Sequence, residues 1–234
     1  SSREGSKTSG LQTYDDLHAD VLHWVRKGWV DYIVPQVYWN IGHQAADYAE
    51  LTHWWGKHTP QKKAQLYIGQ HAARTMDGGQ LEEKLALSRR NSSGNSWWSG
   101  EDLVKNYKGL GDSLITSYQT YRALLPEVHG ALGKTKAPAA ISLILEDTNE
   151  DGHMILWDDY REPSDPETAF YYAVYAFPEG TRPDISDVRY LMSIYTNPYF
   201  ILPSMERGTT YRYMVTAINR FWQESKPASI RISY

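Results

Sequence analysis

The stretch VDYIVPQVYWN, residues 30–40, closes an apolar run with Gln36, Tyr38, Trp39 and Asn40. Aromatic faces beside side-chain amides suit a sugar, because Tyr and Trp offer a flat apolar surface with a hydrogen-bonding edge. Two later apolar runs end alike, one in Gln70 and His71, the other in Trp97 and Trp98. These eight side chains are of types that could grip a sugar. The alternative for Tyr38 and Trp39 is packing against the helix that follows. Cleaving a glycosidic bond usually takes two carboxyl groups, about 5 to 10 Å apart according to stereochemistry. Gln70 cannot ionise, and the nearest acids are Glu101 and Asp102, just past Trp98. They also precede LVKNY, where they would favour a helix N-terminus, so catalysis and capping are both open for Glu101.

The elements that must position these residues alternate. TYDDLHADVLHWVRKG has helical apolar spacing, with Thr13 as expected N-cap and Gly28 beyond its end. WVDYIVPQVYW follows as a short β-branched and aromatic strand, apolar on both faces as buried parallel strands are. QAADYAELTHWWGKH is helical again, AQLYIGQ is a strand, QLEEKLALSRR is a helix with acids early and bases late, and NSSGNSWWSG is strand and loop. LGDSLITSYQTYRALLP is a last helix stopping at Pro126. Such alternation predicts parallel strands with helical crossovers, in a barrel or a doubly wound sheet.

Beyond GALGKTKAP the pattern changes to seven short strand signals with Gly, Pro, Asp and Asn between them, the rhythm of a β-sandwich. The expected domains are 1–134 and 135–234.

Other motifs carry less. DTNEDGHMILWD imitates a calcium loop through Asp147, Asn149, Asp151 and Gly152, but puts Asp158 where a bidentate Glu belongs, and strands flank it. A hairpin turn is the expectation. KGLGDS lacks the upstream strand of a phosphate-binding loop, and His18 and His23, five apart, share no helical face. No metal site and no cofactor is expected. The absence of cysteine excludes disulfides and thiolate catalysis and leaves the compartment open.

Composition narrows the partners. With 24 basic and 28 acidic residues the net charge is −4, and no basic block could neutralise a phosphate backbone, so nucleic acid is not expected. No apolar run approaches the roughly 20 residues of a membrane helix, and SSREGSKTSG has no signal-peptide pattern. Trp and Tyr, 9 and 18, far outnumber the 4 Phe, which favours a wet, half-apolar ligand or Tyr-rich strands.

YDDLHADVLHWVRKGWVDYIVPQVYW, YAELTHWW, LYIGQ and WWSGEDLVKNYKGLGDSLITSYQTYRALLP occur in this order. Together they resemble the C-terminal half of glycosyl hydrolase-like family 10, formerly domain of unknown function 187. The tail resembles a fibronectin type III domain, with Trp157 as its core Trp and Tyr211 as its tyrosine corner. The resemblance implies the C-terminal half of a (β/α)8 TIM barrel followed by a fibronectin type III-like sandwich. A full barrel takes about 250 residues, so the chain reads as a fragment whose N-terminal half-barrel is a missing partner.

Strand C-terminal ends face the ligand in such barrels, so the resemblance implies Gln36, Tyr38, Trp39, Asn40, Gln70, His71, Trp97 and Trp98 as the substrate-binding set. The implied parent is a secreted, periplasmic or cell-surface bacterial glycoside hydrolase acting on a poly- or oligosaccharide, with the fragment itself inactive and its acid pair mostly upstream. A non-catalytic carbohydrate-binding module and a spacer or interaction protein are the alternatives. An unpaired first strand also predicts self-association.

Overall fold

The computed structural model describes residues 5–60, 63–128, 135–148, 152–158, 161–162 and 164–234. They form two compact units: one runs to Thr120, and the other joins Tyr121–Glu127 to the C-terminal strands. Asn149 and Asp151 of the calcium-like loop lie outside the described residues.

The first unit runs α1 (Val21–Lys27), β1 (Tyr32–Ile33), α2 (Tyr48–His58), β2 (Gln65–His71), α3 (Ala72–Asp77), α4 (Leu81–Asn91), β3 (Gly94–Trp98), α5 (Gly100–Val104) and α6 (Leu110–Ser113). A π-helical turn, Leu114–Tyr118, ends it. The strands make a parallel sheet in the order β1-β2-β3. Leu66 and Ile68 of β2 bury one face with Val37 and Tyr48, while Ala72, Leu81, Leu85, Leu110 and Leu114 form a second core.

Several expectations are corrected. The first helix begins at Val21, capped by Asp20, whose side chain accepts from the His23 amide. His18 has φ 52°, and a left-handed residue there ends any helix running from Thr13. The strand through Val30–Trp39 is not buried on both faces: Tyr32 is 61% exposed and Val34 37%, because β1 is the edge of its sheet. Its regular ladder covers two residues, and a bridge from Gln36 to Gly69 resumes it after Pro35. The last helix stops at Tyr118, short of Pro126. The following segment belongs to the second unit, where Leu124 packs against the cluster built from Ala173, Tyr175, Phe177, Leu191 and Ile218.

In the second unit all seven strand signals become strands: β4 (Leu143–Thr148), β5 (Gly152–Trp157), β6 (Tyr171–Pro178), β7 (Leu191–Tyr195), β8 (Tyr199–Ile201), β9 (Thr210–Ile218) and β10 (Ala228–Ser233). They pair antiparallel into a three-stranded sheet, β4-β5-β8, and a four-stranded one, β10-β9-β6-β7. This is a β-sandwich. Ile155, Trp157 and Phe200 of the first sheet meet Tyr172, Val174, Tyr213 and Val215 of the second in one core. Trp157 is buried against Tyr172. The wholly buried tyrosine of β9 is Tyr213, whose hydroxyl lies 2.6 Å from that of Tyr234, whereas Tyr211 is half-buried.

Candidate functional site

Alternation along the parallel strands sorts the expected site residues onto two faces. Register sets Tyr67 beside Gly94, Gly69 beside Ser96, and His71 beside Trp98. Tyr32 of β1 shares this face, its ring centroid 6.0 Å from that of Tyr67. Trp98 is 61% exposed, so the face carries an open aromatic strip: Tyr32, Tyr67, His71 and Trp98. Tyr38 joins its end, packed edge-on to His71 at 5.7 Å.

Gln70 and Trp97 point the other way. Gln70 is wholly buried and its amide donates to Asn95 Oδ1. Trp97 packs into the cluster of Ala72, Leu81 and Leu85, with its indole nitrogen buried. Both lie on the helix-covered face, because they alternate with His71 and Trp98; their expected place in the mouth does not fit this burial. Asn40 is also turned inward, its Oδ1 accepting from Lys84 Nζ at 3.3 Å.

Gln36 and Trp39 line an open cleft of about 1000 Å³ beside β1. Its walls also carry Trp24, Tyr32, Trp54 and Trp55. The Asp31 and Pro35 carbonyls bond the Gln65 and Gly69 amides, and the Val37 amide bonds the Gly69 carbonyl. Odd-numbered residues of this stretch therefore face β2, and the backbone groups of Tyr32, Val34 and Gln36 face away from it.

The acids near the strand ends have protein partners. Glu101 forms an ion pair with Lys105 at 2.5 Å, and Asp102 closes a capping box with Ser99. Asp77, at the end of α3, accepts from Lys108 at 2.7 Å and Tyr107 at 3.0 Å. Lys108 first, then Tyr107, holds its carboxyl below the usual range. Sequence reasoning missed Asp77, since nothing in its neighbourhood marks it. Tyr67 was legible, four residues before His71 on a strand of period two. Among the described residues no cluster of three His, Asp or Glu side chains could hold a metal ion, and no helix is long and apolar enough to cross a membrane.

Residues 5–84 match the family model described as glycosyl hydrolase-like 10. This stretch is similar to that family. The likeness to glycosyl hydrolase-like 10 thus takes in α1, β1, α2, β2 and α3. The whole chain is similar to glycosyl hydrolase YngK of Bacillus subtilis, 30% identical over 95% of this chain and 45% of that protein. Glycosyl hydrolase DigH of Escherichia coli is 43% identical over 28% of this chain and 15% of its own length. The chain therefore spans less than half of either relative. Among solved structures, one described as "FN3tt mut" is 15% identical with a TM-score of 0.31, covering 42% of this chain and 97% of its own.

Proposed function

We propose that this chain is the carbohydrate-facing part of a longer bacterial glycoside hydrolase, acting on a poly- or oligosaccharide, and does not cleave glycans alone. One observation carries the reading: the family-matched region, continued into β3, leaves an exposed row of aromatic side chains on its parallel sheet. Trp98 and Tyr32 would stack on sugar rings, His71 would bond a hydroxyl, and Gln36 and Trp39 would extend the surface across the cleft. Lys108 and Tyr107 keep Asp77 ionised.

In this reading β1, β2 and β3 are three strands of a (β/α)8 barrel whose remaining strands the chain does not cover. The outward backbone groups of Tyr32, Val34 and Gln36 would receive the neighbouring strand. Without that half-barrel the open edge would pair with a second copy. A polymeric glycan substrate also fits a secreted or periplasmic protein.

Assaying the longer protein and this chain on a panel of cello-, xylo-, malto- and chito-oligosaccharides tests the reading. Turnover is expected from the longer protein, and binding without turnover from this chain, weakened by Trp98→Ala. Hydrolysis by the 234-residue chain would overturn its inactivity. Because Glu101, Asp102 and Asp77 all have partners, a purely binding module is the second reading; binding without turnover by the longer protein as well would favour it.

A further inference from the structure

Lys84 is wholly buried on α4, yet no carboxylate among the described residues bonds its amine. Its Nζ donates to Asn40 Oδ1 at 3.3 Å and Thr75 Oγ1 at 3.2 Å, and lies 5.0 Å over the Tyr48 ring. Removing an amine from water carries a penalty that persists after local relaxation. Methionine would fill a similar volume without that cost. Packing alone therefore does not account for a lysine here.

The bonds it makes lead to one place. Asn40 and Ile41 form the loop that leaves β1, directly after Tyr38 and Trp39. One turn before Lys84, Gln80 grips the same loop twice: Oε1 accepts from the Ile41 amide at 2.9 Å, and Nε2 donates to the Ile41 carbonyl at 3.3 Å. Tyr48 closes the set, its amide donating to the Asn40 carbonyl at 3.4 Å and its hydroxyl to the Lys84 carbonyl at 3.3 Å. A Cβ at Gly78 would stand 2.8 Å from Asn40 Nδ2, so the α3–α4 turn also keeps room for this side chain. Charged and titratable groups facing the amine are Arg74 of α3 and the Tyr48 phenol of α2, neither of which neutralises it.

We propose that Lys84 is a positioning residue: through Asn40 it fixes the loop that presents Tyr38 and Trp39 at the carbohydrate surface. The role in binding rests on the function proposed above; the role in holding the loop does not. A neutral packing residue would keep the fold without setting where Trp39 stands.

The test is a ¹H–¹⁵N spectrum of the whole chain carrying Lys84→Met, Asn40→Leu or Asn40→Asp, with the Trp39 indole signal identified through Trp39→Phe. The Trp39 indole and Ile41 amide signals should leave their wild-type positions in Lys84→Met and Asn40→Leu. They should stay near them in Asn40→Asp, which keeps an oxygen acceptor for the amine. The Trp97 indole, in a separate cluster, should not move in any of them. Wild-type positions for Trp39 and Ile41 in Lys84→Met would overturn the proposal, and so would the same positions in Asn40→Leu should Lys84→Met fail to fold.

Titration with chitohexaose and cellohexaose separates the two claims. If the wild type binds either, Lys84→Met should bind about tenfold more weakly with its fold intact, and unchanged affinity would overturn the positioning role. If the wild type binds neither, the carbohydrate reading loses its support and the spectra alone decide for or against Lys84.

Discussion

Glu101 stands one helical turn before Lys105, and their charged atoms meet at 2.5 Å with both side chains more than two-thirds exposed. An ion pair so open to water contributes little, because solvent screens the attraction and two long side chains must be ordered to make it. Glu101→Gln is therefore expected to shift urea-unfolding stability by less than about 0.5 kcal/mol. Oligosaccharide affinity should be unchanged. A large loss of turnover in the longer protein carrying the substitution would instead assign Glu101 to the chemistry.

Burial, with a smaller contribution from Arg74, lowers the Lys84 amine from 10.5 to about 8. The folded chain thus releases this proton more readily than the unfolded chain does. Below about pH 8 the cost of a charged buried amine is fully present; it fades as pH rises through 10.5, where the folded amine is neutral and the unfolded one half protonated. Between pH 7 and pH 10.5 the wild type should gain about 3 kcal/mol relative to Lys84→Met. Urea unfolding of both proteins at the two pH values measures the difference. Equal changes in the two would show that Lys84 does not titrate on folding.

Gly69 lies where β1 and β2 rejoin after Pro35, and a Cβ there would come 2.7 Å from the Pro35 carbonyl oxygen. Backbone cannot swing aside as a side chain can. Gly69→Ala should destabilise the first unit by about 1–3 kcal/mol. By parting the strands it should also alter the Tyr38 and His71 signals in an NMR spectrum. A thermal midpoint equal to that of wild type would count against this packing.

Asn219 is wholly buried after β9. Its Oδ1 accepts from the Phe221 and Gln223 amides, and its Nδ2 donates to the Lys136 carbonyl and to Gln223 Oε1. Gln223 in turn donates to the Thr135 carbonyl and to Glu127. This network fastens the connecting segment to the sandwich. Asn219→Ala strands several buried polar groups and should cost about 2–4 kcal/mol, read from the denaturant midpoint of the second unit. Limited proteolysis should then cut near residues 121–127 sooner than in wild type.

Much of the architecture was legible because each unit has its own period. Residues 65–71 and 94–98 read as strands, residues 48–58 and 81–91 as helices, and all seven tail strands declared themselves. The first helix was overdrawn because His18 takes a left-handed conformation that no apolar spacing announces. The last was overdrawn because Leu124 is recruited into the second unit's core, a contact about 50 residues away in the chain.

For the site, residue types alone pointed to aromatic and amide groups at strand ends, and to Glu101 as an acid equally suited to a helix terminus. Which face each side chain takes depends on register, and only the tertiary structure decided it. One step along β3 separates Trp97, packed under helices, from Trp98 in the open, and one step along β2 separates buried Gln70 from His71. The same holds for Lys84: in the sequence it is one of several charges in QLEEKLALSRR, and folding makes it the buried amine that reaches 44 residues back to Asn40. Composition and periodicity are local and survive in the string of letters, whereas register, edge position and burial arise only when distant segments meet.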